Sequence, residues 1–150
     1  MFHVKTAVIV LITSMILSLI LTYASIMTIV QTTKSNTERV LNSFVIENSA
    51  YIYDSIKNGS NFTTAIDTNY FVYKFYLDGT LDYDGGYFYN RDSKGDTIFR
   101  MTTPQTTFTV NHTLNLTCTL DVLIPIDFAG KQVTELRIPI RVKTSYNLKE

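Results

Sequence analysis

AVIVLITSMILSLILTYASIMTIV, from Ala7 to Val30, decides the fold of this chain. It holds 24 residues without a charge and is dominated by Ile, Leu, Val, Met and Ala. At 1.5 Å per residue it makes a helix about 36 Å long, enough to cross a hydrocarbon core of about 30 Å with some tilt. Lipid offers no water to exposed backbone amides and carbonyls, so a helix is the form such a segment takes there. Apolar around almost its whole circumference, it is poorly suited to water. The stretch reads as a membrane anchor.

One arc of this helix differs from the rest. Ser14, Ser18, Thr22, Ser25, Thr28 and Thr32 fall within roughly 120° of one another at 100° per residue. Small hydroxyl residues allow helices to approach closely and to hydrogen-bond across the contact. The plainer alternative is that each hydroxyl bonds back to the carbonyl four residues earlier. Six on one arc favour a helix-packing seam, facing copies of this protein or a partner.

Working outward, neither Gly nor Pro occurs before Gly59, so nothing breaks the helix as it leaves the membrane. Past Val30 the pattern turns amphipathic. Leu41, Phe44, Val45, Ile52 and Ile56 recur at helical spacing and form the expected helix-to-sheet packing face. Lys34, Ser35, Thr37, Glu38, Arg39, Asn42, Ser43 and Glu47 fill the other faces. Asn58-Gly59 is a stop signal, because both residues accept the left-handed conformation that ends helices. One helix from about residue 4 to 57 is expected.

After a connector at Asn61–Asn69, Tyr70-Phe71-Val72-Tyr73-Lys74-Phe75-Tyr76 is aromatic and β-branched and reads as a strand. Asp78-Gly79, Asp84-Gly85-Gly86 and Asp92–Asp96 are turn signals between short strands at Thr80–Tyr83, Gly86–Asn90 and Thr97–Thr102. Longer strands follow at Thr106–Asn111, His112–Asp127 and Gln132–Tyr146. The last two are joined by the hairpin loop Phe128-Ala129-Gly130-Lys131. Pro125 and Pro139 each predict an edge, a bulge or a strand end, with the long hairpin bent or twisted beside them. The fold class is α+β: a long N-terminal helix, transmembrane then amphipathic, packed on a small antiparallel β-sheet head. The anchor occupies 1–30, its amphipathic continuation 31–58 and the β-rich domain 59–150.

Candidate chemistry is sparse. The formal charge is zero, which speaks against nucleic-acid binding by electrostatics. One cysteine, Cys118, precludes an internal disulfide and reads as a buried strand thiol rather than a reactive one. His3 and His112 lie far apart, with no nucleophile motif beside either. Asp78, Asp82, Asp84, Asp92 and Asp96 crowd a Gly-rich span, but their spacing does not match a Ca²⁺ loop and suits turn aspartates. The aromatics from Tyr70 to Tyr89 suit half-buried packing better than a binding platform. Asn-x-Ser/Thr sequons occur at Asn58, Asn61, Asn111 and Asn115, where chance alone gives about two in a chain this rich in Asn, Ser and Thr, so glycosylation is not indicated. No catalytic, metal or cofactor-binding residues are expected, no cofactor, and no small-molecule substrate. The expected partners are membrane lipid and further copies or other subunits.

Basic residues flank both ends of the apolar run, Lys5 before it and Lys34 and Arg39 after it, and orient it only weakly. A short head before a long apolar run resembles a signal anchor, leaving the C-terminal domain extracytoplasmic at the cell membrane. Thr22-Tyr23-Ala24 offers a small residue for signal cleavage. The run continues through Ile26, Met27, Ile29 and Val30, beyond the usual length of a cleaved signal, so the anchor is expected to be retained.

Lys5–Ile12 (KTAVIVLI), Gln31–Leu41 (QTTKSNTERVL), Phe128–Lys131 (FAGK) and Ser145–Leu148 (SYNL) resemble stretches of Firmicutes proteins related to TadE-type minor pilins. The outline, half membrane helix and half helix under a β-rich head, is similar to type IV pilins and pseudopilins. Unlike those proteins, Phe2 follows Met1 rather than Gly, position 5 is Lys5, and the first glutamate is Glu38. The resemblance implies a non-enzymatic pilin-like structural or assembly component of a Tad or type IV pilus-like system, with other pilin-like subunits as partners. The alternative is a single-pass sensor whose ectodomain binds a ligand.

Overall fold

A computed structural model describes residues 2–79, 81–128 and 130–148. Helix α1 runs from Phe2 to Glu47 and α2 from Ser49 to Lys57. The single helix expected to about residue 57 is therefore interrupted once, at Asn48. Its side-chain amide donates to the Phe44 carbonyl at 3.1 Å, the same oxygen its own backbone N–H reaches at 3.0 Å. That competition holds Asn48 at φ −118°, ψ 24°. The hydrogen-bond run resumes at once, with the Ile52 N–H on the Asn48 carbonyl at 2.9 Å.

The stop at Asn58-Gly59 has a full chemical basis. Gly59 adopts φ 70°. Its N–H reaches the Ile56 carbonyl, and the Ser60 N–H reaches that of Ser55, the paired bonds of a Schellman ending. A short 3-10 turn, Phe62–Ala65, follows; the Asn61 carboxamide accepts from the Thr63 N–H at its start.

The next element corrects the sequence reading. Tyr70–Tyr76 is not a strand but part of helix α3, Thr68–Gly79. Asp67 opens it, its carboxylate accepting from the Tyr70 N–H at 3.0 Å. Phe71 and Phe75, four residues apart, are both buried and stack at 5.6 Å, while Tyr73 between them is exposed. The β preference of aromatic residues is a packing preference, and here the packing is available on a helical period. Lys74 ties α3 to the end of α1 through Glu47 at 2.7 Å.

Six strands follow: β1 (Asp82–Asp84), β2 (Tyr87–Arg91), β3 (Thr97–Thr102), β4 (Gln105–Asn111), β5 (Thr113–Phe128) and β6 (Lys131–Asn147). They agree with the expected strands to within a few residues; Thr80 and Ala129 lie outside the described residues. All pairings are antiparallel. β6 covers one edge of β5 along its length, so β4 and β3 share the other edge, at Thr113–Thr119 and Val122–Leu123 respectively. Pro139 stands on β6, with β5 as its neighbour, and Pro125 stands next to a register shift after Ile126. Both suit a residue without an N–H.

The inner face of β5 presents Leu114, Leu116, Cys118, Leu120, Val122 and Ile124, all buried. Val40, Leu41 and Phe44 of α1, Ile52 of α2, Phe71 and Phe75 of α3, and Phe88 and Met101 of β2 and β3 pack into the same core. On the outer face Arg100 forms a two-pronged bond to Glu135, at 2.8 and 3.1 Å, and lies 4.4 Å from the Tyr87 ring centroid. The Glu135 carboxylate pushes the guanidinium pKa still higher.

The helical reading of residues 68–79 makes a sharp prediction. On a strand Phe71, Tyr73 and Phe75 would share a face, whereas on α3 only the two phenylalanines do. Phe71→Ala is expected to destabilise the head by about 3–5 kcal/mol, and Tyr73→Ala by no more than about 0.5 kcal/mol. Denaturant unfolding in detergent measures both; equal large losses would restore the strand.

Candidate functional site

From His3 to Ser25 every side chain of α1 is exposed. Leu11 is 61% exposed and Leu19 71%. This part of α1 is long and apolar enough to cross a membrane. The head begins to cover the helix at Ile26, Ile29 and Val30, which pack against the core. It therefore takes hold of α1 inside the last turn of the apolar run rather than after it.

Of the expected packing face, Leu41, Phe44 and Ile52 are buried, and Val45 and Ile56 are half-buried against the same core. Val40, Thr33 and Thr37 are buried beside them. Thr37 thus leaves the solvent face assigned to it. Its hydroxyl bonds to the Thr33 carbonyl at 2.8 Å, which lets a polar residue present its methyl to the core. Residues 33, 37, 40, 41 and 44 lie on one helical stripe, a signal that counting threonine as polar hides. At the far end of the hairpin, the Tyr146 hydroxyl donates to the Asn42 side-chain oxygen. Burial raises the pKa of that phenol.

The hydroxyl arc is divided by the structure. Ser14, Ser18, Thr22 and Ser25 line a cleft of about 540 Å³ whose other wall is Ile98 and Ile124–Asp127. The cleft opens toward the N-terminus into a space of about 1020 Å³, between Ala7–Thr22 on α1 and Ile126, Asp127 and Val133 on the hairpin. The arc at these four residues thus looks at the chain's own sheet. Thr28 is exposed, and Thr32 borders a separate small cavity beside Phe75 and Phe99. Thr22, Ser25 and Thr28 turn their hydroxyls to the carbonyls of Ser18, Leu21 and Ala24, each at 2.9 Å. What these three bring to a contact is small size more than a free donor.

Several groups with reactive potential serve the structure. The Asp92 carboxylate accepts from the N–H groups of Lys94 and Asp96, both at 2.9 Å, and closes the β2–β3 turn. Among the described residues no group of three or more His, Cys, Asp or Glu could hold a metal. His112 adopts φ 55° in the tight turn between β4 and β5. The aromatics of residues 70–89 are divided between α3 and the sheet. Phe71, Phe75 and Phe88 are buried, while the rings of Tyr87 and Tyr89 lie against Arg100 and Arg91. Compared with protein-family models, curated proteins and solved structures, the chain matches none. The pilin-like resemblance therefore rests on the sequence stretches alone.

Cys118 is fully buried, and burial pushes its thiol pKa up from 9.0 to about 11, offset in part by the Thr106 hydroxyl 3.8 Å away. The raised value means the folded state keeps the neutral thiol. Its contribution to stability is whole below pH 9.0 and is lost as pH rises through about 11. Iodoacetamide at pH 8 is expected to leave Cys118 unmodified in the folded chain and to alkylate it fully after denaturation. Rapid native labelling would show an open strand.

Proposed function

We propose that this chain is a non-enzymatic, single-pass membrane protein that acts as a pilin-like structural or assembly component, with its head outside the cytoplasm. One observation carries the reading: α1 passes without a break from an apolar half exposed on every side into the core of the head. Water does not tolerate so long an exposed apolar helix, and a bilayer does. A helix shared by anchor and head fixes the head's position relative to the membrane. That is the property a subunit needs in an ordered assembly of copies or other pilin-like subunits.

The four hydroxyl residues in the cleft face the chain's own hairpin, so a second subunit reaches them only by entering the cleft. Subunit contacts are therefore assigned to the sides of α1 away from the hairpin and to the head. Photo-crosslinking within membranes, from probes placed around α1, maps those contacts.

The anchor itself is tested by charge. An arginine at the centre of a membrane helix costs about 2.5–3.5 kcal/mol on insertion scales. Leu17→Arg is expected to move much of the protein from the detergent-extracted fraction to the alkaline-carbonate wash. Protease added to intact cells is expected to digest the wild-type head. A head that stays protected, or a wild-type chain washed off by carbonate, contradicts the proposal.

A further inference from the structure

Two irregularities in the sheet fall at the same place. Between β2 and β3 the register passes from Asn90↔Phe99 to Arg91↔Thr97, so Ile98 is an extra residue without a partner in the pairing. Between β5 and β6 it passes from Ile126↔Thr134 to Asp127↔Gln132, leaving Val133 extra in the same way. Bulges of this kind re-aim a side chain and are favoured at sheet margins. Both extra residues are apolar, both are exposed (Ile98 43%, Val133 67%), and both line the space beside the anchor half of α1.

The rest of the hairpin supports the same direction. Along β6 toward its tip, Val142 and Ile140 are buried, Ile138 is half-buried and Leu136 is 38% exposed. The apolar inner face thus continues past the point where α1 covers it. Opposite it stand Ser14, Ser18 and Thr22, in the part of α1 that is apolar and bare. Crossing about 30 Å takes about 20 residues. The bare helix, His3–Ser25, shares the space beside it with Ile98, Ile126 and Val133 through residues between Ala7 and Ser25, so the sheet margin stands beside the C-terminal part of the span.

We propose that this margin of the sheet, carrying Ile98, Ile126 and Val133, rests in the interfacial layer of the membrane beside α1, with lipid acyl chains filling the cleft. The inference rests on the reading of α1 as a membrane span. Its depth is limited by Asp127, which borders the cleft and also, with Asp92, Asp96 and Gln132, a polar hollow on the margin's other side. Carboxylates there need water, so the margin stops at the headgroup layer with its apolar side inward. Lipid contact at this second point would also resist rotation of the head about the anchor.

The chain contains no tryptophan, so single-tryptophan probes report without background from other indoles. Full-length Val133→Trp, Ile98→Trp, Leu11→Trp and Tyr76→Trp are placed in phosphatidylcholine vesicles with acyl chains brominated near the headgroup or near the bilayer centre. Leu11→Trp tests the anchor and is expected to lose emission in both lipids. Val133→Trp and Ile98→Trp are expected to shift to the blue and to lose emission most with bromine near the headgroup. Tyr76→Trp, on the exposed face of α3, is expected to be unaffected. Quenched Leu11→Trp with unquenched Val133→Trp and Ile98→Trp overturns the proposal, whether a second copy's helix or water then fills the cleft. Unquenched Leu11→Trp overturns the anchor reading on which it stands. Because Ile98 and Val133 are exposed, either substitution is accommodated without repacking the core, and agreement of the two sites guards against a local distortion.

Discussion

The contact between α1 and the inner face of the β5–β6 hairpin is what the rest of the molecule depends on. Thr33, Thr37, Val40, Leu41 and Phe44 on one side meet the buried stripe Leu114–Ile124 on the other. Removed from this helix, the sheet would show an apolar face to water, and without the sheet the same helix would be apolar at both ends. Burial of each large side chain contributes on the order of 1.5–3 kcal/mol. The contact also couples two environments, because the helix that fills the core is the one whose other half is apolar enough to cross a membrane. An interior that is close-packed transmits displacement, so movement of the apolar half of α1 is movement of the head.

Much of this was legible in the residues. The apolar run announces itself by length and lack of charge. The spacing of Leu41, Phe44 and Ile52 places them on a buried face, and all three are buried. Asn58-Gly59 ends α2, and the turn residues between Asp82 and Asn147 separate strands close to those observed. These are local signals with a local cause.

What was not legible depended on contacts distant in sequence. Helix α3 was hidden because aromatic residues suit strands by type, and only the pocket receiving Phe71 and Phe75 decides for a period of four. Thr33 and Thr37 were hidden because threonine counts as polar; the Thr37 hydroxyl is satisfied by the carbonyl four residues before it, whereas the buried Thr33 hydroxyl has no partner among the described residues. The direction of the hydroxyl arc could not be read from one helix, since it is the hairpin that makes Ser14–Ser25 one wall of a cleft. Ile98 and Val133 look like ordinary strand residues. Only the register against their neighbours reveals that each is unpaired and turned toward the anchor.

The central claim is that one uninterrupted helix joins membrane and head. Lys5 and Glu38 are exposed, 33 residues apart on α1, and a continuous helix sets them about 50 Å apart. Spin labels on cysteines at these two positions, with buried Cys118 left unlabelled, report that distance by pulsed electron resonance in lipid nanodiscs. The account predicts a single narrow distribution near that value. A broad distribution centred well below it would place a hinge between anchor and head and contradict the account.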